Sequence, residues 1–179
     1  MAESAAPAPP DPESVAMAPL VQRTCQALQA MVGSLEALES VFSRMADLDH
    51  ATAQHAELIQ GTEETVAHVI ALLRREGPPL LFRAQALRLR LRLQGHVSSP
   101  SAAMALRSLH TELDGLAGFR HDAPQRIVEH WASFLRRARS NTMILLAEFD
   151  RHGREIAAQL NGAPALPEAA IPVAIPVPR

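Results

Sequence analysis

Apolar residues recur every three or four positions from Leu28 to Leu73, a spacing that places them on one face of an α-helix. A repeat near 3.5 residues is typical of a helix that lies along another helix. This seam therefore predicts an interaction surface for a helical partner. Its apolar members are Leu28, Met31, Leu35, Leu38, Phe42, Met45, Ile59, Val66, Ile70 and Leu73.

Three polar residues, Asp49, Thr52 and Glu63, interrupt the seam. Polar positions in such a seam can fix the register and the choice of partner helix, at some cost in stability. They can equally mark stretches where the helix faces water. The sequence leaves both interpretations open.

Interior prolines at positions 78, 79, 100 and 124 divide the patterned part of the chain into four pieces. Proline removes a backbone hydrogen bond from a helix interior, so we expect a helix boundary at each of these points. The seam keeps its phase through Gly61, which favours one long first helix. The predicted helices span about residues 20–75, 79–95, 100–118 and 123–161.

Leucine and arginine alternate strictly from Leu87 to Leu93, which by itself is the pattern of a β-strand. A lone strand is not stable, and we find no second strand to pair with it. Wound as a helix, the segment carries one apolar stripe through Leu87 and Leu91 and a second through Leu89 and Leu93. We therefore expect a helix that lies between two neighbours.

The fourth predicted helix has its own seam, in which His152 falls between Phe149 and Ile156. A buried histidine there could make association sensitive to pH. The simpler interpretation is that it packs in the core or pairs with Glu148 one turn earlier.

Prolines crowd both ends of the chain, in segments 1–19 and 162–179 that have little patterned apolar sequence. We expect both segments to be disordered tails. The repeated Ile-Pro-Val near the C-terminus is either a docking peptide or part of a plain tail. The predicted fold class is all-α: an elongated antiparallel helical bundle, coiled-coil-like, over residues 20–161.

Composition agrees with helices, because 47% of the 179 residues are hydrophobic and only 3% are aromatic. The net charge of −2 is unevenly spread. Residues 1–73 hold ten acidic and two basic side chains, and residues 74–109 hold one acidic and seven basic side chains. We expect the basic middle to fold back on the acidic first helix.

The sequence offers only weak candidates for a metal-binding or catalytic site. Asp47, His50, Gln54 and Glu57 share a helix face opposite the seam, where a solvated surface is the ordinary explanation, and no Glu precedes a His by three residues as in di-iron bundles. Nucleophile, phosphate-loop and dinucleotide motifs are missing from the sequence. We therefore expect no enzymatic activity, no cofactor and no bound metal.

Arginines on the second and fourth predicted helices could contact phosphates, but no aromatic residues alternate with them for base stacking, so we do not expect nucleic acid as a partner. These arginines are Arg83, Arg88, Arg90, Arg92, Arg136, Arg137 and Arg139.

The expected function is that of a non-catalytic helical interaction protein, acting by self-association as a homo-oligomer such as a dimer, or as an adaptor or chaperone for a helical partner. The lone Cys25, and a sequence without a signal peptide or apolar span, favour the cytoplasm. The alternative is a coat protein on a lipid or storage-granule surface. Granule-coating phasins are similar in being short, rich in Ala and Leu, and helical, although none of their motifs matches residue by residue.

Overall fold

The computed structural model describes residues 12–47, 53–115 and 124–161, with side chains over residues 12–41, 67–115 and 133–161. Over these ranges the chain is almost entirely helical and contains no strand. The expected all-helical class is confirmed. The helices are α1 (Pro12–Asp47), α2 (Ala53–Leu93), α3 (Pro100–Gly115) and α4 (Pro124–Leu160).

The helices pack side by side as a bundle, in which α1 and α3 each contact α2 and α4. Polar contacts give the alignment of α1 with α4. Ser14 Oγ at the start of α1 lies 3.5 Å from Gln159 Oε1 at the end of α4, and Glu39 Oε2 lies 3.1 Å from Arg139 Nε. The beginning of α1 therefore lies beside the end of α4.

One hydrophobic core runs between the helices, built from the apolar stripe of each. The apolar stripes of the last three helices are buried in it, and each fully buried large aliphatic side chain contributes about 1.5–3 kcal/mol. These buried residues are Leu80, Ala84, Leu87 and Leu91 of α2, Leu106, Leu109 and Leu113 of α3, and Leu135, Ala138, Leu145, Phe149 and Ile156 of α4.

The predicted single helix over residues 20–75 is wrong, because α1 ends at Asp47 and α2 begins at Ala53. α1 and α2 pack against each other, and the described parts of both halves of the seam enter one core. A straight helix would have left that apolar surface in water. The helix does continue through Gly61, as predicted, whereas Asp49 and Thr52 lie outside the described residues.

The expected boundary at Pro78 and Pro79 is also wrong, because α2 passes through both prolines without ending. Both are exposed, so the carbonyl groups that lose a partner face water, and the buried Leu73 and Leu80 hold the helix on either side. Gly77 permits a close approach to α3: a Cβ atom at this position would lie 2.6 Å from a methyl carbon of Leu113.

The predicted start of the bundle at residue 20 is also wrong, because residues 12–19 belong to α1 and are not a disordered tail. Pro12 occupies the first helical position, where a missing N–H costs little, and Met17 is fully buried. Residues 1–11 and 162–179, with the Ile-Pro-Val repeats, lie outside the described residues. Helix α4 matches its predicted range closely, and α3 ends at Gly115, beyond which residues 116–118 are not described.

Candidate functional site

The seam predicted as an interaction surface lies inside the chain's own core wherever its side chains are described. The six described members are at most 5% exposed: Leu28, Met31, Leu35, Leu38, Ile70 and Leu73. The other four, Phe42, Met45, Ile59 and Val66, lie outside the described side chains.

An apolar stripe on α2 is exposed instead. Phe82 is 72% exposed, Leu89 54% and Leu93 88%, and Ala86 between them is also exposed. The steps of four, three and four residues place all four on the helix face opposite the buried stripe. We call this set, Phe82, Ala86, Leu89 and Leu93, the α2 outer stripe. The second neighbour expected on this side of the helix is not supplied by the described part of the chain.

Exposed arginines flank the α2 outer stripe on both sides. Arg83 and Arg90 lie on the side facing α1, where they line a shallow groove. Arg92 lies on the other side, at a cleft between α2 and α3 that Arg107 and His110 also line. The stripe is thus an apolar surface with a positively charged border.

Below this surface, a buried ion pair joins α2 to α4. Arg88 Nε donates to Glu148 Oε1 at 2.7 Å, and the two side chains are 12% and 2% exposed. Glu148 also accepts hydrogen bonds from the Ser98 hydroxyl at 3.0 Å and the Ser99 backbone N–H at 2.9 Å. The guanidinium donates to the Ser99 carbonyl oxygen in turn. The charges are therefore paired and hydrogen-bonded, which a buried ion pair requires.

The turn that supplies Ser98 and Ser99 is fixed by the end of α2 and the start of α3. Gly95 adopts a φ of +87°, and its N–H bonds the Arg92 carbonyl while the His96 N–H bonds the Leu91 carbonyl. These two bonds form a Schellman motif, in which glycine takes the left-handed conformation at no steric cost. Ser99 caps α3, because its hydroxyl accepts the Ala102 N–H. The motif positions His96 against α4.

A second polar group lies next to the ion pair, around Glu155 of α4. Its Oε2 lies 3.1 Å from the Nδ1 atoms of both His96 and His152, and its Oε1 accepts from Arg151 at 2.7 Å. The two imidazole rings meet edge to face at 5.4 Å. His152 is 1% exposed, so the expectation that it packs in the core is confirmed, and its Nε2 lies 3.9 Å from Glu148 Oε1.

The environment of Glu155 and His152 favours a neutral imidazole beside a carboxylate. Burial lowers the pKa of His152, and the hydrogen bond with Glu155 only partly opposes this shift. Burial would raise the pKa of Glu155, but hydrogen bonds from His152 and His96 together with the charge of Arg151 lower it overall.

Sequence reasoning placed His152 in the core, but it named Arg88 only as a possible phosphate contact and gave no role to His96 or Glu155. A usable signal was present on α4, where Glu148, His152 and Glu155 follow at steps of four and three on one helix face. No periodicity could show that the turn after α2 brings His96 to that face. The cluster of Asp47, His50, Gln54 and Glu57 lies outside the described side chains.

Three arginines of α4 contact acidic groups of the chain itself. Arg136 lies 3.8 Å from Glu39 of α1, Arg139 lies 3.4 Å from Glu36, and Arg137 lies 3.7 Å from Glu112 of α3. The acidic side of α1 is thus partly neutralised by α4, a partner that the charge distribution along the sequence did not indicate.

Comparison of the chain with protein-family models, with curated proteins and with solved structures found no match. No helix in the described ranges combines the length and the apolar character that crossing a bilayer requires.

Proposed function

We propose that the protein is a non-catalytic helical interaction protein, an adaptor or chaperone that binds an amphipathic helix of a partner along the α2 outer stripe. The observation that carries this proposal is the exposure of Phe82, Leu89 and Leu93 on one face of a well-packed helix. With Ala86 included, the α2 outer stripe advances in steps of four, three and four residues, which match the seam positions of a coiled coil. A helix in an apolar groove is a common mode of recognition.

The charge around the stripe selects the kind of partner. Arg83, Arg90 and Arg92 stand where the flanking positions of a coiled coil would lie, so a partner helix with acidic flanks is favoured. A second copy docked on the same stripe would bring arginine against arginine. Binding of an acidic helix is therefore the preferred form of the proposal, and self-association as a homo-oligomer is its weaker form.

The proposal includes the shape of the helical bundle. An elongated, antiparallel, coiled-coil-like bundle is supported by the alignment of α1 with α4 and by helix lengths of 36, 41 and 37 residues for α1, α2 and α4. At 1.5 Å per residue such helices are about 55–60 Å long. The lone Cys25 supports a reducing compartment such as the cytoplasm.

A binding experiment tests the proposal directly. The probe is a designed four-heptad peptide with leucine at the seam positions and glutamate at the flanks, labelled for fluorescence anisotropy. We expect saturable binding to the full chain, and a loss of affinity of tenfold or more in the double variant Phe82→Ser, Leu89→Ser. Met104→Ser on α3 is the matched control, because Met104 is as exposed as the stripe residues.

Two results would count against the proposal. One is the absence of peptide binding by the wild-type chain, and the other is equal binding by the stripe variant and the Met104→Ser control. Light scattering on the same samples separates the two forms of the proposal, since a dimer that dissociates in the stripe variant would indicate self-association.

A coat protein on a lipid or granule surface is the second candidate, and the arginine border is the observation that favours it. Helices that lie in a lipid interface often carry basic residues beside their apolar face. Flotation with vesicles of zwitterionic lipid, with and without anionic lipid, distinguishes this function. Wild-type protein that floats, together with a stripe variant that does not, would support it, whereas protein left in the soluble fraction would oppose it.

A further inference from the structure

We propose that His96, His152 and Glu155 form a binding site for a zinc-type transition-metal ion, which joins the turn after α2 to α4. Their candidate ligand atoms lie within 4.8 Å of one another. The proposal concerns residues other than the α2 outer stripe and does not depend on partner binding.

The donor atoms suit zinc in kind and number. Two imidazole nitrogens and one carboxylate oxygen make a set of three protein ligands, which in open zinc sites is completed by water or another small ligand. Each histidine Nδ1 lies 3.1 Å from Glu155 Oε2. Ligands bound at about 2.0–2.2 Å in a tetrahedron lie roughly 3.3 Å apart, which both histidine–carboxylate distances already approach. The ligand atoms as a set lie within 4.8 Å of one another, so binding would draw the set closer together.

Metal binding replaces two hydrogen bonds and keeps the proton balance. An imidazole that donates its Nδ1–H to Glu155 binds the ion in its other neutral tautomer: the proton moves to Nε2, and the freed Nδ1 lone pair binds the ion. For His152 the relocated proton faces Glu148 Oε1, 3.9 Å from Nε2. A carboxylate behind a metal-bound histidine is the usual outer partner in zinc sites. The rings release no net proton.

The surrounding residues hold the three ligands in place. Arg151 donates to Glu155 Oε1 at 2.7 Å and so leaves Oε2 facing the histidines. The same guanidinium donates to the Val97 carbonyl at 2.7 Å, which fixes the turn that carries His96. The positive charge of Arg151 opposes a cation, but the carboxylate of Glu155 lies between them. Glu148 faces His152 and is balanced by Arg88.

The experiment is a titration of the full chain with Co²⁺ and Zn²⁺. We expect one ion per chain, visible absorption bands of four-coordinate Co²⁺, and displacement of Co²⁺ by Zn²⁺. His96→Ala and Glu155→Gln should each weaken binding by about tenfold to 100-fold or more. His68→Ala is the matched control, because His68 is an exposed histidine of α2 and should leave the affinity unchanged.

Circular dichroism on each variant distinguishes a loss of metal binding from a loss of folding. Glu155 is partly exposed, so Glu155→Gln is expected to stay folded and still lose the cobalt bands. Unchanged binding by folded Glu155→Gln and His96→Ala chains would overturn the proposal and assign the metal to other histidines. Failure of the wild-type chain to give the cobalt bands would overturn it equally.

Discussion

Glu148 is the residue on which the geometry of the polar cluster depends most. It is buried, it carries a charge, and it accepts hydrogen bonds from Arg88, Ser98 and Ser99 of two other parts of the chain. Removal of one partner of a buried ion pair costs far more than removal of both, since the remaining charge has no compensation.

Arg88→Met should therefore lower the free energy of unfolding by about 3–5 kcal/mol. The double variant Arg88→Met, Glu148→Leu should recover most of this loss, because no charge then remains buried. Urea denaturation gives both values. Arg90→Met is the control on an exposed arginine of the same helix, and it should change stability by less than about 0.5 kcal/mol. Equal stability of the two single variants would contradict the role given to Arg88.

Glu112 of α3 predicts a pH dependence. Burial raises its pKa, and the hydrogen bond from Asn141 and the charge of Arg137 oppose this only in part. Because the folded pKa lies above the unfolded one, the ionised carboxylate destabilises the fold above the folded pKa, and that cost disappears as the pH falls below the unfolded value.

Glu112→Gln should thus stabilise the chain at neutral pH and have little effect in acid, below the usual pKa of a glutamate. Thermal unfolding of wild type and variant across this range measures the difference. Asp114→Asn, at an exposed position two residues away, is the control. A stabilisation by Glu112→Gln that does not change with pH would contradict this explanation.

At the level of the residue, periodicity predicted burial well and contacts poorly. It placed His152 in a seam with Phe149 and Ile156, and all three are buried. It could not pair Arg88 with Glu148, because the two are 60 positions apart and meet only after α2 and α4 have packed. A helical repeat identifies the face of one helix, not the residue opposite.

At the level of the helices, tertiary packing overrides the local preference of Pro78 and Pro79 to end a helix. Proline disfavours a helix interior by about 3 kcal/mol relative to alanine, yet α2 continues because its buried face is anchored before and after the pair. The sequence thus predicted the helical class and the stripes correctly, but placed the boundaries wrongly where tertiary contacts oppose local preference. The separation of α1 from α2 was missed because the seam repeat in the sequence continues unchanged from one helix to the next.

The double variant Pro78→Ala, Pro79→Ala should raise the free energy of unfolding by about 1–3 kcal/mol, because it restores backbone donors and removes no buried contact. Guanidinium denaturation is the measurement. Pro100→Ala at the first position of α3 is the control and should not be stabilising, since proline is well suited there. A loss of stability in the double variant would show that the prolines hold α2 in a shape that the bundle requires.

In the molecule as a whole, the described part of the seam that was expected to bind a partner is buried in the core. A different apolar surface, the α2 outer stripe, is exposed. The bundle covers Leu28 to Leu38 with α2 and α4, whereas the second leucine stripe of α2 has no neighbour among the described helices. The sequence revealed both stripes. It could not say which would be covered, because that depends on how many helices surround each one.

Reversal of the charge border tests most directly the claim that the α2 outer stripe binds an acidic helix. The triple variant Arg83→Glu, Arg90→Glu, Arg92→Glu keeps the stripe and changes only its flanks. Affinities are measured for two designed peptides with the same leucine seam, one flanked by glutamate and one by lysine. We expect wild type to prefer the glutamate peptide by about tenfold and the variant to prefer the lysine peptide. The same preference in both proteins, or none in either, would contradict the account.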